Sequence, residues 1–231
     1  MTGPLVIAVD GPAASGKGTV ATGLGRAFGL PVLDTGLLYR AVGVLTAGAG
    51  RDPDDPSATT LFAKALTADQ LGDPGLRTRA AGELASRVAV HPGVRAALLD
   101  FQQAFASREG GAVLDGRDIG TVICPGAPAK LYVTATPQVR AHRRWQQLSR
   151  QGEAVAYADV LTDILKRDAR DGGRDTAPMK PAPDANLLDT TEMSIRPSRR
   201  CGPPYRRGGA SPLGEIPLGQ SKRAFPSHVC G

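Results

Sequence analysis

"AVDGPAASGKGTV", residues 8–20, ends a short apolar run and begins a pattern of helix-forming residues. A strand, a glycine-rich turn and a helix in this order form the phosphate-binding loop G-x-x-x-x-G-K-[ST], whose fixed positions Gly11, Gly16 and Lys17 occupy. The backbone N–H groups of residues 12–19 would surround a phosphate, and the helix N-terminus would add a positive field. The stretch therefore predicts a parallel strand with a phosphate site at its carboxyl end; the alternative is a glycine-rich turn without a ligand.

The residue after the lysine departs from that pattern, because Gly18 stands there and the hydroxyl arrives only at Thr19. Many GTPases and motor ATPases use a hydroxyl directly after the lysine to hold Mg²⁺. Thr19 is therefore the candidate ligand, either directly or through water, and Asp115, which closes another apolar run, is the candidate carboxylate. Asp10 closes the first apolar run and could instead be a structural residue. A GTPase is disfavoured further because no N-K-x-D stretch occurs.

Apolar runs alternate with helical patterns along most of the chain. The runs predict strands at residues 4–10, 30–34, 129–135 and 186–191, and a strand that passes into a loop at 112–118. Helical patterns fall at residues 17–28, 36–46, 59–68, 77–89, 92–107, 138–150 and 157–170. Residues 51–58 are rich in Pro and Asp and predict a loop. This alternation predicts an α/β protein with the three-layer P-loop NTPase fold and a mostly parallel sheet.

The composition is typical of a soluble globular protein, with 41% hydrophobic and 22% charged residues in a chain of 231. No run of about 18 apolar residues occurs and the N-terminus lacks the form of a signal peptide, so we expect a cytoplasmic protein that spans no membrane. Cys124, Cys201 and Cys230 show neither metal nor disulfide spacing. Cys124 is expected to be a small buried apolar residue.

The net charge of +6 belongs to the end of the chain. Residues 1–195 carry 21 Lys and Arg against 21 Asp and Glu, whereas residues 196–231 carry 7 against 1. The latter segment also holds six prolines and six glycines. This composition predicts a disordered basic tail, with a basic interaction tail as the alternative. No nucleic acid partner is expected.

An arginine-rich stripe follows the last long helical pattern. Its offsets of 0, 3, 4 and 7 place its members on one helical face. The members are Arg167, Arg170, Asp171 and Arg174. If that face borders a cleft, it predicts a site for phosphate and ribose; if it faces solvent, it predicts a salt-bridged helix surface. A kinase needs such positive charge, because phosphoryl transfer depends on holding two substrates in line and stabilising their phosphates.

Three further stretches carry a family resemblance. They are "DTGLLYR" (34–40), "LDGRDIGTVICP" (114–125) and "RDARDGGRDTAPMKPAPDANLLDTT" (167–191). Together with G-K-G-T in the loop, they resemble the bacterial cytidylate kinases, a branch of the nucleoside monophosphate kinases. Adenylate kinases instead read D-G-F-P-R where this chain reads D-G-R-D-I-G. The resemblance implies phosphorylation of CMP and dCMP by ATP, with Mg²⁺.

The resemblance also assigns roles to residues of this chain. The implied catalytic residues are Lys17, Arg117, Arg167 and Arg174. The implied ATP loop is Gly11, Pro12, Ala13, Ala14, Ser15, Gly16, Lys17, Gly18 and Thr19. The implied monophosphate site is Thr35, Tyr39, Arg40, Ser86, Arg95, Arg117, Asp118, Arg167, Asp171 and Arg174. The metal candidates are Thr19 and Asp115, and Arg143 is the candidate for the ATP adenine, with Arg140, Arg144 and solvent-facing roles as alternatives.

Ser86, Arg95 and Asp118 are the set expected to read cytosine. Asp118 can accept a hydrogen bond from the exocyclic amine, and Arg95 can donate to the ring carbonyl and ring nitrogen. Uracil has a carbonyl in place of the amine, so such a site should reject it. The residues alone leave open that Arg95 is a surface charge, Ser86 an ordinary helix residue and Tyr39 a packing residue.

The sequence departs from the family in two places. Residues 51–76 are shorter and more helical than the antiparallel insert of many members, so 51–89 is expected to form a reduced monophosphate-binding lobe, with 151–174 as the lid. After residue 195 the closing amphipathic helix is absent, as though the reading frame had changed, so the kinase domain is expected to end there. We expect a monomer. A UMP or AMP kinase and a nucleotide-dependent RNA-binding protein are the alternative functions.

Overall fold

A computed structural model describes residues 4–193 of the chain. The predictions made for residues 196–231 lie outside the described residues. No helix between residues 4 and 193 is long and apolar enough to cross a membrane.

Five strands of the described chain form one parallel sheet. They are β1 (Leu5–Asp10), β2 (Val32–Asp34), β3 (Gly111–Gly116), β4 (Ala129–Thr134) and β5 (Asn186–Asp189). Their order across the sheet is β2-β3-β1-β4-β5, and all four neighbouring pairs are parallel. The register aligns Asp34 with Asp115 and Asp10 with Gly116. The ends of β1, β2 and β3 therefore bring three carboxylates to one edge of the sheet.

Helices cover both faces of this sheet. They are α1 (Lys17–Phe28), α2 (Gly36–Gly48), α3 (Pro56–Ala65), α4 (Arg79–Val88), α5 (Pro92–Ala106), α6 (Pro137–Arg150) and α7 (Tyr157–Gly172). Strand side chains alternate between the faces: Val6 and Ala8 of β1 join a core with α2 to α5, whereas Ile7 and Val9 join a core with α1. The predicted three-layer α/β fold with a parallel sheet is confirmed.

The segment 51–89 is helical, but its first helix begins earlier than predicted. The prediction of a loop over 51–58 is wrong for its last three residues, because α3 starts at Pro56. Asp55 caps this helix by accepting hydrogen bonds from two N–H groups of the first turn, and proline suits the first helical position. Two short 3₁₀ turns, Ala68–Gly72 and Pro74–Arg77, separate α3 from α4.

Helices α2 and α4 approach closely because Gly43 has no side chain. A Cβ atom at Gly43 would lie 2.7 Å from the Cβ atom of Leu84 and 3.0 Å from its carbonyl carbon. We expect Gly43→Ala to lower the free energy of unfolding by about 1–3 kcal/mol, because α4 must shift. Gly48→Ala is the matched control in the same helix, where a Cβ would meet nothing within 4 Å. Urea unfolding measures the stability of both variants. Equal stability of the two would contradict this account of the packing.

Candidate active site

The loop after β1 has the backbone that its glycines indicate. Gly11 (φ 143°) and Gly16 (φ 93°) both lie at positive φ, and a Cβ at Gly11 would lie 2.0 Å from the carbonyl oxygen of Val133. Ala14 also has a positive φ, 58°, which is uncommon for a residue with a side chain. Lys17 is the first residue of α1. The loop therefore places the lysine at a helix N-terminus, where anions are favoured.

A cleft of about 560 Å³ opens beside this loop. The loop residues that line it are Ala13, Ala14, Gly16, Lys17, Gly18 and Thr19. Gly11, Pro12 and Ser15 are buried behind them. Among the described residues that line the cleft, nine are Lys or Arg and four are Asp or Glu. This excess of positive charge suits a ligand with several phosphates.

Lys17 and Asp115 form a buried ion pair at the loop, with 3.4 Å between Nζ and Oδ1. Burial and repulsion by Arg117 lower the pKa of Lys17. Burial raises the pKa of Asp115. The charge of Lys17 opposes this shift, and the charge of Asp34 adds to it. Each member of the pair therefore favours the charged form of the other. Gly18 fits this arrangement, because a Cβ there would lie 3.2 Å from Asp115 Oδ2 and a larger residue would press on that carboxylate.

The carboxylate of Asp171 gathers three of the arginines named above. Its Oδ2 lies 3.0 Å from Arg117 Nε and 3.8 Å from Arg167 Nε, and its Oδ1 accepts a hydrogen bond from Arg174. Asp171 is 2% exposed. Burial acts to raise its pKa, but the three arginines outweigh burial and lower the pKa to about 2. The cluster holds one negative charge against three positive charges.

Arg167 extends from this cluster into the cleft. It lines the cleft together with Arg40 and Arg117. Its Nε is buried and, within residues 4–193, has no hydrogen-bond partner. Burial and repulsion by Arg117 lower its pKa to about 9, and burial and Arg144 lower that of Arg40 to about 10. Buried donors of this kind are costly unless an acceptor meets them, and a phosphate oxygen is such an acceptor.

The predicted arginine stripe is only partly formed. Helix α7 ends at Gly172, so Arg174 lies beyond the helix and reaches Asp171 from the following turn. Arg170 donates to Glu83 of α4, with 2.8 Å between the two atoms. The prediction that all four members share one helical face is therefore wrong for Arg174, whereas Arg167, Arg170 and Asp171 lie on the helix at the predicted offsets.

The residues expected to read cytosine, Ser86, Arg95 and Asp118, do not belong to the lining of the cleft. Arg95 donates to Asp118 in an ion pair whose side chains are each 7% exposed. The guanidinium of Arg95 lies 5.8 Å from the ring centroid of Tyr39, and Ser86 Oγ lies 3.5 Å from Asp171 Oδ1. Burial raises the pKa of Asp118, and Arg95 opposes that shift. The alternative that Arg95 is a surface charge is wrong.

Two other candidates, Thr35 and Arg143, have hydrogen-bond partners within the protein. The hydroxyl and the N–H of Thr35 both donate to the carbonyl oxygen of Asp115, over 2.8 and 2.9 Å. Arg143 lines the cleft, and its guanidinium donates to Thr190 Oγ1 and to the carbonyl oxygens of Thr190 and Met193. Cys124 is half-buried against the larger core, less enclosed than expected.

The sequence reasoning missed most of the contribution of α6. Arg144, Gln147 and Arg150 line the cleft, and their spacing of three residues, which repeats along one helical face, could have indicated this. Arg140 has a different role. It forms a bidentate pair with Asp168 of α7, over 3.0 and 2.6 Å, and no sequence signal reveals that pairing.

Comparison with known proteins agrees with this geometry. The family model described as Cytidylate kinase matches residues 7–197. A cytidylate kinase of Caulobacter vibrioides (strain NA1000 / CB15N) is 68% identical over 190 residues, which cover 82% of this chain and 89% of the relative. Relatives of the same description from Methylobacterium sp. (strain 4-46) and Rhodopseudomonas palustris (strain ATCC BAA-98 / CGA009) are 59% and 51% identical, covering 78% and 83% of this chain and 86% and 90% of the relatives. A phosphate loop, a cleft rich in arginine and this similarity along most of its length together place the chain in the cytidylate kinase family.

Proposed function

We infer that this chain transfers the terminal phosphoryl group of ATP to CMP and dCMP, giving ADP and CDP or dCDP. One observation carries this inference: Lys17 of the phosphate loop shares a single cleft with Arg40, Arg117 and Arg167. Family membership supplies the acceptor. An acceptor phosphate oxygen forms a bond to the γ-phosphorus, while the bond from that phosphorus to the β–γ bridging oxygen breaks and ADP leaves.

The catalytic group is proposed to consist of Lys17, Arg117, Arg167 and Arg174. Phosphoryl transfer needs little covalent chemistry from the protein, so these cations act by position and charge. Lys17 lies in the cleft on the donor loop, and Arg117 and Arg167 lie in the cleft next to Asp171. Arg174 belongs to the same group through its hydrogen bond to Asp171.

The acceptor is proposed to lie between the cleft and the Arg95–Asp118 pair. Thr35, Arg40 and Asp171 are proposed for its phosphate and sugar. Its base is proposed to lie against Tyr39, Ser86, Arg95 and Asp118. The support for this placement is proximity: Ser86 contacts Asp171, and Arg95 lies over Tyr39. Asp118 accepts from the cytosine amine, which uracil lacks, so cytosine is preferred.

Thr19 and Asp115 are proposed to hold Mg²⁺. Both line the cleft beside the loop, and Asp115 is a carboxylate next to Lys17. Mg²⁺ is usually held by one or two carboxylates together with substrate phosphates and water, so these oxygens fit. No group of three or more His, Cys, Asp or Glu able to hold a metal occurs within residues 4–193. Bound there, the ion would neutralise phosphate charge.

Residues 51–89 and 151–174 are proposed as the acceptor-binding lobe and the lid of a domain spanning 1–195. Helices α4 and α7 meet across the cleft through Arg79–Asp163 at 2.6 Å and Glu83–Arg170 at 2.8 Å. Ion pairs this exposed contribute at most about 1 kcal/mol each. They therefore permit the two segments to separate when substrates enter and to close afterwards against water.

A cytoplasmic monomer without a nucleic acid partner is proposed for the working form. Residues 1–195 carry equal numbers of acidic and basic side chains. Nucleic acid binding would instead favour a basic face.

The proposed function is tested with a panel of acceptors. With ATP and Mg²⁺, we expect kcat/KM for CMP and dCMP to exceed that for UMP and AMP by at least about 100-fold, because the buried Arg95–Asp118 pair matches cytosine alone. Coupled detection of ADP measures each rate, and chelation of Mg²⁺ followed by its return gives the metal control. A preference for UMP or AMP would overturn the assignment.

A further inference from the structure

Asp10 is a buried acid that the reaction above does not use. It ends β1, immediately before Gly11 of the phosphate loop, and is 3% exposed. Its Oδ1 accepts a hydrogen bond from the N–H of Ile119 and its Oδ2 accepts one from the N–H of Gly120, both over 2.8 Å. Both carboxylate oxygens of Asp10 therefore bind consecutive N–H groups of a segment more than a hundred positions away.

That segment is a π-helical turn, Ile119–Ile123, and it directly follows Arg117 and Asp118. The carbonyl oxygen of Asp118 accepts hydrogen bonds from the N–H groups of Val122 and Ile123, over 2.9 and 3.1 Å. The turn therefore fixes the carbonyl of Asp118, and Asp10 fixes the two N–H groups that follow it.

Tight packing around the turn leaves this backbone little freedom. Ile119 is fully buried, and a Cβ atom at Gly116 would lie 2.6 Å from its Cδ1 atom. At Gly120 a Cβ would lie 3.1 Å from Cδ of Lys130 and 3.4 Å from Asp10 Oδ2. The carboxylate of Asp10 thus has a fixed place beside the turn, and its loss would free two N–H groups in a closely packed region.

Burial of Asp10 disfavours the charged form of its carboxyl group. Burial raises its pKa to about 6, although both hydrogen bonds oppose that shift. The charged and titratable groups that face it are Asp118 and Arg117 of the loop, Cys124 of the following turn and Tyr132 of β4. The burial of this carboxylate is offset by its two hydrogen bonds, so its two acceptor oxygens hold the backbone of the turn in place.

We propose that Asp10 is a positioning residue for acceptor recognition, holding the backbone of Arg117 and Asp118 so that Asp118 meets the base together with Arg95. The inference rests on the proposed function, because it assumes that Asp118 reads cytosine. It links the strand that carries the donor loop to the loop that selects the acceptor.

The variant Asp10→Asn tests this role. Asparagine offers one acceptor oxygen, and its NH₂ group would face an N–H group that donates as well. We expect kcat/KM for CMP to fall about 10- to 100-fold and the ratio of CMP to UMP activity to fall at least about 10-fold, with KM for ATP changed less than about 2-fold. A role in stability alone would lower both acceptor activities alike, and that outcome would overturn the proposal.

Asp100→Asn is the matched control, because Asp100 is an exposed acid on α5 whose loss should leave the ratio of CMP to UMP activity unchanged. A wild-type protein that does not prefer CMP contradicts the proposed function. A wild-type protein that prefers CMP, with an Asp10→Asn variant that keeps the preference, contradicts only the positioning role.

A second measurement does not depend on folding of the variant. In the wild-type full chain without nucleotide, we expect the amide signals of Ile119 and Gly120 to shift between pH 8 and pH 5 with a midpoint near 6, and those of Arg117 and Asp118 to follow them. The same titration in Asp118→Asn separates the two acids and should keep the transition but move its midpoint to lower pH, because the charge of Asp118 raises the pKa of Asp10. A shift at Ile119 and Gly120 that Arg117 and Asp118 do not follow, or a transition lost with Asp118, would overturn the proposal.

Discussion

The Lys17→Met variant is expected to phosphorylate CMP with a kcat on the order of 1,000-fold below that of the wild-type protein. Lys17 begins α1 and lines the cleft beside the phosphate loop. A cation fixed beside a transferring phosphoryl group stabilises charge that develops in the transition state, and its loss costs a factor of about 10²–10³ or more. Methionine keeps the unbranched stem and removes the charge. KM for CMP should change little, because the acceptor contacts lie on other residues.

Steady-state kinetics with ATP and CMP measure this effect. Lys64→Met, at an exposed position of α3, is the matched control for loss of one lysine charge and should retain wild-type kcat. Far-UV circular dichroism shows whether both variants fold. A folded Lys17→Met protein that keeps more than a tenth of the wild-type kcat would mean that Lys17 does not contact the transferred group.

The Asp171→Asn variant is expected to lose about 3 kcal/mol of unfolding free energy and at least about 100-fold in kcat/KM for CMP. Removing one partner of a buried ionic group leaves the others uncompensated, and here Arg117, Arg167 and Arg174 would repel one another around a neutral amide. The acceptor site would lose its geometry with the cluster. Chemical denaturation and kinetics measure the two effects separately.

The difference between wild type and Asp171→Asn should depend on pH in the acid range. The pKa of Asp171 is lowered from 3.8 to about 2 on folding, so its ionisation contributes about 2 kcal/mol of stability. A lowered pKa means that this contribution is complete above about pH 4 and is lost as pH falls towards 2.

Asp163→Asn is the contrasting variant on the same helix, because Asp163 forms an exposed ion pair with Arg79. Its loss should cost less than about 1 kcal/mol. Equal losses of stability in Asp171→Asn and Asp163→Asn would contradict the account of the buried cluster.

Sequence patterns predicted the sheet and most helices because the signals are local. A continuous apolar run such as residues 4–10 is typical of a strand that is buried on both faces of a parallel sheet. The structure places β1 at the centre of the sheet. The error at residues 51–58 is also local: Pro and Asp indicated a loop, whereas Asp55 and Pro56 start a helix. The strand order, by contrast, depends on which runs pair across long separations.

The candidate site was predictable as a set of residues but not as a geometry. The family motifs indicated Arg95 and Asp118 as site residues. Their buried ion pair could not be predicted, because it depends on the packing of α5 against the loop after β3. Helical spacing misplaced Arg174 because it could not show that the helix ends at Gly172, and it could not show that Arg170 pairs with Glu83 of α4. Two further contacts join segments that are distant in the sequence: the ion pair of Arg140 with Asp168 and the hydrogen bonds of Asp10. No local sequence pattern predicts such partners.

The excess of cationic side chains along the cleft has a practical consequence for anyone who handles the protein. Nine basic and four acidic lining residues favour the binding of small multivalent anions when nucleotides are absent. Phosphate and sulfate in a buffer would compete with nucleotides and, by binding only the folded chain, would raise its melting temperature. Assays in such buffers would therefore measure displacement of the buffer ion together with catalysis, and a buffer without multivalent anions is the appropriate reference medium.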